Sequence, residues 1–139
     1  MIDDLYNTDV LSLAASIAHV GTLEEPDASV RKVSKLCGSW VEVDVKADGD
    51  IVTGFAIRLQ ACALGQASAA ILAERVIGAS LAELKTARDA LKAMLKSGGA
   101  PPTGKFSKLA LLQEVANYPA RHVSTLLAFN AVVEALESL

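Results

Sequence analysis

The clearest pattern in the chain is an alternation of apolar and polar side chains between residues 40 and 60. The run WVEVDVKA and the run IVTGFAIRLQ each place three apolar residues on one face of a predicted strand, namely Val41, Val43 and Val45, then Phe55, Ile57 and Leu59. An Asp-Gly turn at 47–50 joins the two runs, which predicts an antiparallel β-hairpin. The preceding run SVRKVS has Val30 and Val33 out of step, and it predicts a short additional strand.

Apolar residues recur at spacings of three and four on both sides of this hairpin, as they do in amphipathic helices. Residues 3–19 predict a first helix, capped by Asp3 or Asp4. The following stretch VGTLEEPDAS breaks both periodicities and predicts a loop. After the hairpin, the alanine-rich stretch ALGQASAAILAERVIG predicts a second helix that ends near Gly78.

Three further helices are predicted in the C-terminal half of the chain. SLAELKTARDALKAMLKS opens with a capping box, because Ser80 is followed three residues later by Glu83. FSKLALLQEVANY predicts a short helix opened by Ser107, and PARHVSTLLAFNAVVEALESL predicts a longer one with Pro119 in its first turn. Helix, strands and then helices is the order of an α+β fold, so residues 1–139 are expected to form one domain. We expect a small antiparallel sheet of about three strands with the helices packed on one face.

Composition narrows the functions that such a domain could have. The net charge of −3 and the aromatic content of 4% argue against a nucleic-acid partner, which would bring a basic face and stacking side chains. The sequence contains no run of eighteen apolar residues, so it predicts no membrane span. The acidic start MIDDLYNTDV does not resemble a signal peptide. Two cysteines without secretory context predict a cytoplasmic protein with reduced thiols.

Those two cysteines flank the hairpin. Cys37 precedes its first strand and Cys62 follows its second, and in an antiparallel pair these two positions lie at the same end of the sheet. Cys62 also stands at the start of a predicted helix, where free backbone N–H groups favour a thiolate. Two thiolates at one edge supply half of a four-ligand site for zinc or an iron–sulfur cluster. The alternatives are two buried thiols that fill space, or a redox disulfide, which requires Cα atoms within about 7 Å.

Several segments around these cysteines resemble those of the iron–sulfur cluster assembly scaffolds, the NifU N-terminal, IscU and SufU group. That family has a CGD turn before the hairpin, a G-C-x-x-x-x-A-S-x-S segment opening the next helix, and a G-K-S-L-x-E stretch after it. This chain has CGS at 37–39, ACALGQASAA at 61–70 and GASLAEL at 78–84. HVGTLEEPDAS is similar to the family's upstream segment, and LALLQEVANYPARHVSTLLAFNAVVEAL is similar to the SufU-type ending. The roughly twenty extra residues around KTARDALKAMLKSGGAPPTGKF also suit the SufU branch.

The comparison of these motifs also shows where the chain departs from the family. Members of the family hold zinc or a cluster with three cysteines and an aspartate. Ser39 occupies the aspartate position, and Ser124 occupies the position of the third cysteine. Val123 stands where IscU-type proteins carry a histidine, while His122 lies one residue earlier. Neighbouring residues of a helix point about 100° apart, so His122 does not simply replace that side chain. A serine hydroxyl is a poor ligand for zinc or iron compared with a thiolate.

The resemblance implies a scaffold rather than an enzyme. A cysteine desulfurase would deliver persulfide sulfur to Cys37 and Cys62, iron or zinc would bind there, and a transient 2Fe–2S cluster would pass to an acceptor protein. His122, a partner protein, a second subunit of a homodimer or an external thiol would complete the ligand set. Ser39, Ser124 and Arg121 are second-tier candidates, Arg121 because a cation could steer an anionic sulfur carrier. The alternative is a degenerate homologue that docks on a desulfurase or acceptor without holding a cluster.

Overall fold

The computed structural model describes residues 6–35 and 38–139. Its elements, in chain order, are α1 (Thr8–Ala14), β1 (Ala28–Val33), β2 (Trp40–Asp48), β3 (Ile51–Gln60), α2 (Ala63–Arg75), α3 (Leu81–Ser97), a 3-10 segment (Gly104–Asn117), a 3-10 turn (Pro119–Arg121) and α4 (His122–Glu137). The predicted order of helix, strands and helices is therefore confirmed.

The three strands form one antiparallel sheet in the order β1-β2-β3. Val43 at the centre of β2 pairs with Val30 of β1 and with Ile57 of β3. Gly49 turns the chain between β2 and β3 with a φ of 63°, a conformation that glycine adopts without steric cost. Both the hairpin and the third strand are as predicted.

All the larger helices pack on one face of this sheet. The face is formed by the alternating apolar residues of the hairpin, and its three β2 valines have no solvent exposure. Helix α4 lies against β1 and β2 and is itself covered by α2 and α3. The ring of Phe106 meets that of Phe129 edge to face, at 5.5 Å between centroids. This arrangement confirms the α+β class with helices on one side.

The predicted capping box of α3 is also present. The Ser80 hydroxyl accepts a hydrogen bond from the Glu83 N–H at 3.1 Å, and a Glu83 carboxylate oxygen accepts one from the Ser80 N–H at 3.0 Å. The helix ends at Gly98, which has a φ of 68°. Local sequence signals thus fix both ends of α3.

Two helices are shorter than their sequence patterns indicate. Helix α1 begins after Asn7, whose side chain accepts from the Val10 N–H at 3.0 Å, while the predicted caps Asp3 and Asp4 lie outside the described residues. Helix α2 ends at Arg75 rather than near Gly78. The cause is tertiary, because the Gly78 N–H bonds to the Val52 carbonyl at the edge of β3 instead of continuing the helix.

The predicted α-helix after residue 104 is instead a 3-10 segment. Its buried side chains are spaced by three residues rather than by alternating threes and fours: Phe106, Leu109, Leu112 and Val115. A 3-10 helix has three residues per turn, so this spacing lines all four side chains up on the core. The prediction of an ordinary α-helix here was wrong for that reason.

The edge of β3 and the outer face of the sheet are both covered by loops. Ile57 exchanges backbone hydrogen bonds with His19 and Gly21 at 2.9 and 3.0 Å, and Val52 does the same with Ala79 and Gly78 at 2.9 and 2.8 Å. We call residues 19–27 the strap, because this segment runs from the edge of β3 to the outer face. No helix in the described part of the chain is long and apolar enough to cross a membrane.

Candidate functional site

Cys62 lies at the junction between β3 and α2. It is the N-cap residue of α2, its backbone is extended (φ −67°, ψ 169°), and its side chain makes no hydrogen bond to the first turn of the helix. The side chain of Gln66 donates to the Ala61 carbonyl at 3.0 Å, which fixes the chain immediately before the cysteine. The thiol is partly exposed and free of any disulfide. A strand that leads directly into a helix therefore presents a sulfur atom at the end of the sheet.

A cavity of about 240 Å³ opens beside this sulfur. The residues that line it come from three separate segments: Gly38, Ser39, Gln60, Ala61, Cys62 and Arg121. Trp40 at the start of β2 pairs with Gln60 at the end of β3, so the two ends of the hairpin meet here as the sequence indicates. Cys37 itself lies outside the described residues, and its approach to Cys62 stays a prediction.

Backbone hydrogen bonds hold one wall of the cavity in place. The Ser34 N–H bonds to the Ser39 carbonyl at 2.7 Å, and the Gly38 N–H bonds to the Ser34 carbonyl at 2.8 Å. These bonds tie the residues just before β2 to the end of β1. Ser39 is 5% exposed, so the residue at the family's aspartate position is largely buried beside the cavity.

Ser124 forms the closest polar contact of the Cys62 sulfur. Its hydroxyl oxygen lies 3.7 Å from the Cys62 Sγ and donates a hydrogen bond to the Arg121 carbonyl at 3.2 Å. The Thr125 hydroxyl donates to the same carbonyl at 2.7 Å. The structure thus brings together two of the positions that the resemblance selected, Cys62 and Ser124, with Ser39 and Arg121 around the same cavity.

Gly65 is what allows this contact, because it brings α2 and α4 close together. A Cβ atom on Gly65 would lie 3.2 Å from the Ser124 carbonyl oxygen and 3.0 Å from the Ala61 Cβ, which is tighter than ordinary packing. Gly65, Gln66 and Thr125 are site residues that the sequence did not single out. The available signal was a glycine inside a predicted helix, which often marks a close approach of two backbones.

His122 is not part of the group around Cys62. The residue is 5% exposed, and its Nε2 lies 3.0 Å from the Val115 carbonyl oxygen and 3.3 Å from that of Ala116. His122 and Ser124 are two residues apart on one helix, so their side chains project about 200° apart. The imidazole therefore joins α4 to the end of the 3-10 segment.

Arg121 supplies the only cation that lines the cavity among the described residues, and no carboxylate from them lines it. No acidic side chain in the described ranges forms an ion pair with this guanidinium. Residues 6–35 and 38–139 also contain no group of three histidine, cysteine or acidic side chains that could hold a metal ion. The cavity as described is lined by Cys62, by Arg121 and by neutral residues, a combination that attracts an anion.

Comparison with known proteins gives a consistent result along almost the whole chain. The family model described as the NifU-like N-terminal domain matches residues 5–125. The chain is 28% identical over 137 residues to the iron–sulfur cluster assembly scaffold protein IscU of Thermotoga maritima, with 97% of this chain and 94% of that protein covered. It is also 28% identical over 136 residues to the protein of the same name from Streptococcus pyogenes serotype M1, covering 98% and 85%.

Solved structures agree with this likeness. A nitrogen-fixing NifU-like protein (N-terminal) from Brucella abortus is 47% identical, with a TM-score of 0.96 and coverage of 98% of this chain and 94% of that one. A candidate iron–sulfur cluster assembly scaffold protein for the SUF system from Fervidobacterium islandicum has a TM-score of 0.87 over 95% and 96% of the two chains. At 22% identity, this second likeness concerns the fold alone.

Proposed function

Because the chain belongs to the NifU-like N-terminal domain family, we propose that it is a scaffold on which iron–sulfur clusters are assembled. Two curated relatives that match nearly the whole chain carry that function in their names. The observation that carries the proposal here is the cavity beside Cys62, which has Arg121 on one wall and the residues that follow Cys37 on another. Iron and sulfur are the substrates of such a site, and the finished cluster is its product.

Cys62 is the proposed acceptor of sulfur. Its thiolate would attack the outer sulfur of a persulfide carried by a cysteine desulfurase, the sulfur–sulfur bond of the donor would break, and the donor thiolate would leave. Cys62 stands at the N-terminus of the 13-residue helix α2, and Arg121 lines the same cavity, so an anionic sulfur donor would be attracted to the space beside the thiol. Cys37 is proposed as the second sulfur ligand of the bound iron or zinc.

The ligand set that results is smaller than that of the family. Ser39 and Ser124 present neutral hydroxyls where the family has a carboxylate and a thiolate, and the Ser124 hydroxyl already donates to the Arg121 carbonyl. The His122 ring is bonded to two backbone carbonyls on another side of α4. We therefore propose that an external thiol, a partner or a second copy of the chain completes the site. A 2Fe–2S cluster held in this way would transfer readily to an acceptor protein.

Anaerobic reconstitution tests the proposal. The full chain is incubated with ferrous iron, cysteine and a cysteine desulfurase, and cluster formation is followed by visible absorbance. We expect a cluster on the parent protein and its loss in Cys62→Ser and in Cys37→Ser, whereas the matched control Ser138→Cys, which changes a serine near the end of the chain, retains it. Absence of cluster bands from the parent, or equal bands in the parent and Cys62→Ser, would contradict the proposal.

A second candidate function is a binding module that docks on a desulfurase or acceptor and holds no metal. The observation that favours it is the use of the Ser124 hydroxyl in a helix hydrogen bond at a position where the family has a ligand. Metal analysis of the natively purified protein separates the two functions. About one zinc or iron per chain, lost when both cysteines are replaced, would favour the scaffold. Metal-free protein that still binds its partner would favour the module.

A further inference from the structure

A second cavity, of about 420 Å³, runs between α3 and α4. The residues that line it from α3 are Arg88, Asp89, Lys92 and Lys96, and those from α4 are Val123, Leu126 and Asn130. We call this cavity the α3–α4 groove. The structure therefore places three cations of α3 beside the partly apolar surface of α4.

The charge of this groove is not balanced within the described part of the chain. Arg88 pairs with Asp89 at 3.0 Å, whereas Lys92 and Lys96 form no ion pair with any described residue. Four other lysines do pair with glutamates: Lys32, Lys85, Lys105 and Lys108. Three cations with one carboxylate thus line a groove on a chain whose net charge is −3. The groove therefore attracts negative charge from outside the molecule.

The floor of the groove combines two apolar side chains with Asn130, and it is partly open. Val123 is 45% exposed although it belongs to the first turn of α4, and Leu126, one turn further along α4, is almost buried. A partly apolar floor with cations along one wall suits an amphipathic segment that has both apolar and acidic residues. A purely electrostatic ligand would make no use of Val123.

The groove adjoins the site described above. Val123 is the residue between His122 and Ser124, so it lies on the same helical turn as the hydroxyl that contacts Cys62. Arg121, which lines the Cys62 cavity, precedes this turn directly. One end of the groove therefore lies on the turn of α4 that also carries the Ser124 contact with Cys62.

We propose that the α3–α4 groove docks an acidic, amphipathic segment of a partner protein that exchanges sulfur or cluster at Cys62. That the partner exchanges sulfur or a cluster at Cys62 rests on the proposed function, whereas the docking of an acidic segment does not. The apolar residue of the segment packs on Val123, and its carboxylates pair with Lys92 and Lys96. The contact brings the partner to the thiol without using any of the groups that react there.

The test uses the ¹⁵N-labelled full chain and two synthetic peptides of about 14 residues. One peptide carries glutamates and leucines at helical spacing, and the other has glutamine in place of every glutamate. We expect the acidic peptide alone to shift the amide signals of Val123 and Leu126. Lys92→Glu is expected to weaken this binding about tenfold. Lys46→Glu makes the same charge change on the outer face of the sheet, and it is expected to weaken binding less than about twofold.

Several results would overturn the proposal. Equal loss of affinity in Lys92→Glu and Lys46→Glu would show general charge attraction, and equal binding of both peptides would remove the role of the carboxylates. Tighter binding of a single-stranded oligonucleotide than of the acidic peptide would assign the groove to another class of ligand. Self-association of the parent that disappears in Lys92→Glu would assign it to a second copy of this chain.

The amide spectrum of each variant is recorded first, because a loss of binding counts only for a variant that is folded. Reconstitution with ferrous iron and inorganic sulfide keeps the docking inference separate from the proposed function. Lys92→Glu should form as much cluster as the parent under these conditions, since no partner is needed. If the peptide binds but no protein forms a cluster, the scaffold function is refuted and the docking inference stands. If the parent forms a cluster but does not bind the peptide, the docking inference is refuted and the scaffold function stands.

Discussion

The Sγ of Cys62 lies 3.7 Å from the Oγ of Ser124, at the point where the first turn of α2 meets the first turn of α4. The resemblance to the scaffold family implies a cysteine at position 124, where this chain has a serine. Ser124 is 1% exposed and donates to a helix carbonyl. A thiol and a buried hydroxyl thus lie in contact at two positions where the resemblance to the family implies two thiols.

Ser124→Cys is expected to strengthen metal binding, because it places a second thiol in contact with Cys62. We expect the affinity for zinc to rise by about tenfold, measured by competition with a chromophoric chelator. Ser138→Cys is the matched control, since Ser138 is the C-cap residue of the same helix and its hydroxyl donates to the Ala135 carbonyl. An equal rise in the control would show that the added thiol acts independently of Cys62.

Gly65→Ala is expected to destabilise the fold even though alanine favours helices. Its Cβ would come within 3.2 Å of the Ser124 carbonyl oxygen, a backbone atom that cannot move without shifting α4. We expect the free energy of unfolding in urea to fall by about 1–2 kcal/mol. In the double variant with Ser124→Cys, the gain in zinc affinity should be smaller. A Gly65→Ala protein at least as stable as the parent would show that the two helices separate without cost.

On the outer face of the sheet, Arg58 binds Asp44 through two hydrogen bonds, at 2.9 and 3.0 Å. The Ser29 hydroxyl and the Leu23 N–H donate to the same carboxylate, and Arg58 also donates to the Gly21 carbonyl. The hydrogen bonds from Arg58 are the main reason that the pKa of Asp44 falls to about 2 from its ordinary 3.8, against the opposing effect of burial. This pair fastens the strap to the sheet.

The lowered pKa of Asp44 predicts a specific loss of stability in acid. A carboxyl whose pKa is lower in the folded state contributes stability above its unfolded pKa of about 3.8, and the contribution disappears as the pH falls towards 2. The difference of nearly two pKa units corresponds to about 2 kcal/mol. Urea unfolding between pH 7 and pH 2 should therefore show this loss in the parent protein.

Asp44→Asn should remove that pH dependence and cost about 2–4 kcal/mol at neutral pH, because Arg58 loses its buried partner. The difference between variant and parent is expected to shrink as the pH falls from about 5 to 2. Asp48→Asn, at an exposed position of the same strand, should leave the pH dependence unchanged. A constant difference across this pH range would mean that Asp44 does not titrate as described.

His122→Ala tests the role of the buried imidazole. The variant loses the bond to the Val115 carbonyl, so we expect it to be about 1–3 kcal/mol less stable than the parent. Its zinc content should match that of the parent, whereas Cys62→Ser should lose the metal. Loss of zinc as complete as in Cys62→Ser would instead support the prediction that His122 is a ligand.

Local signals in the sequence were enough for much of the fold. The alternation in β2 and β3 and the Ser80–Glu83 capping box depend on residues that are close in the chain, and both are confirmed. The meeting of Ser39 and Cys62 at one cavity follows from the antiparallel pairing of the same hairpin. These features could be predicted because each depends on one element or on two adjacent elements.

Other features depend on contacts between distant segments. The strap is held to β3 by the bonds of His19 and Gly21, and nothing in the sequence of a loop indicates its partner strand. The same holds for His122, whose acceptors belong to the 3-10 segment. The sequence of that segment does contain a usable signal, which is the strict spacing of three from Phe106 to Val115. A search for the helical periodicity of 3.6 does not distinguish this spacing from that of an α-helix.

The loops along β3 limit edge-to-edge pairing between copies of this protein. Since backbone groups of Val52 and Ile57 are already bonded to Gly78, Ala79, His19 and Gly21, a foreign strand finds few free partners on that side. The other edge of the sheet is β1, which carries the exposed cation Arg31. The loops thus disfavour edge-to-edge stacking of copies into fibres on the β3 side of the sheet.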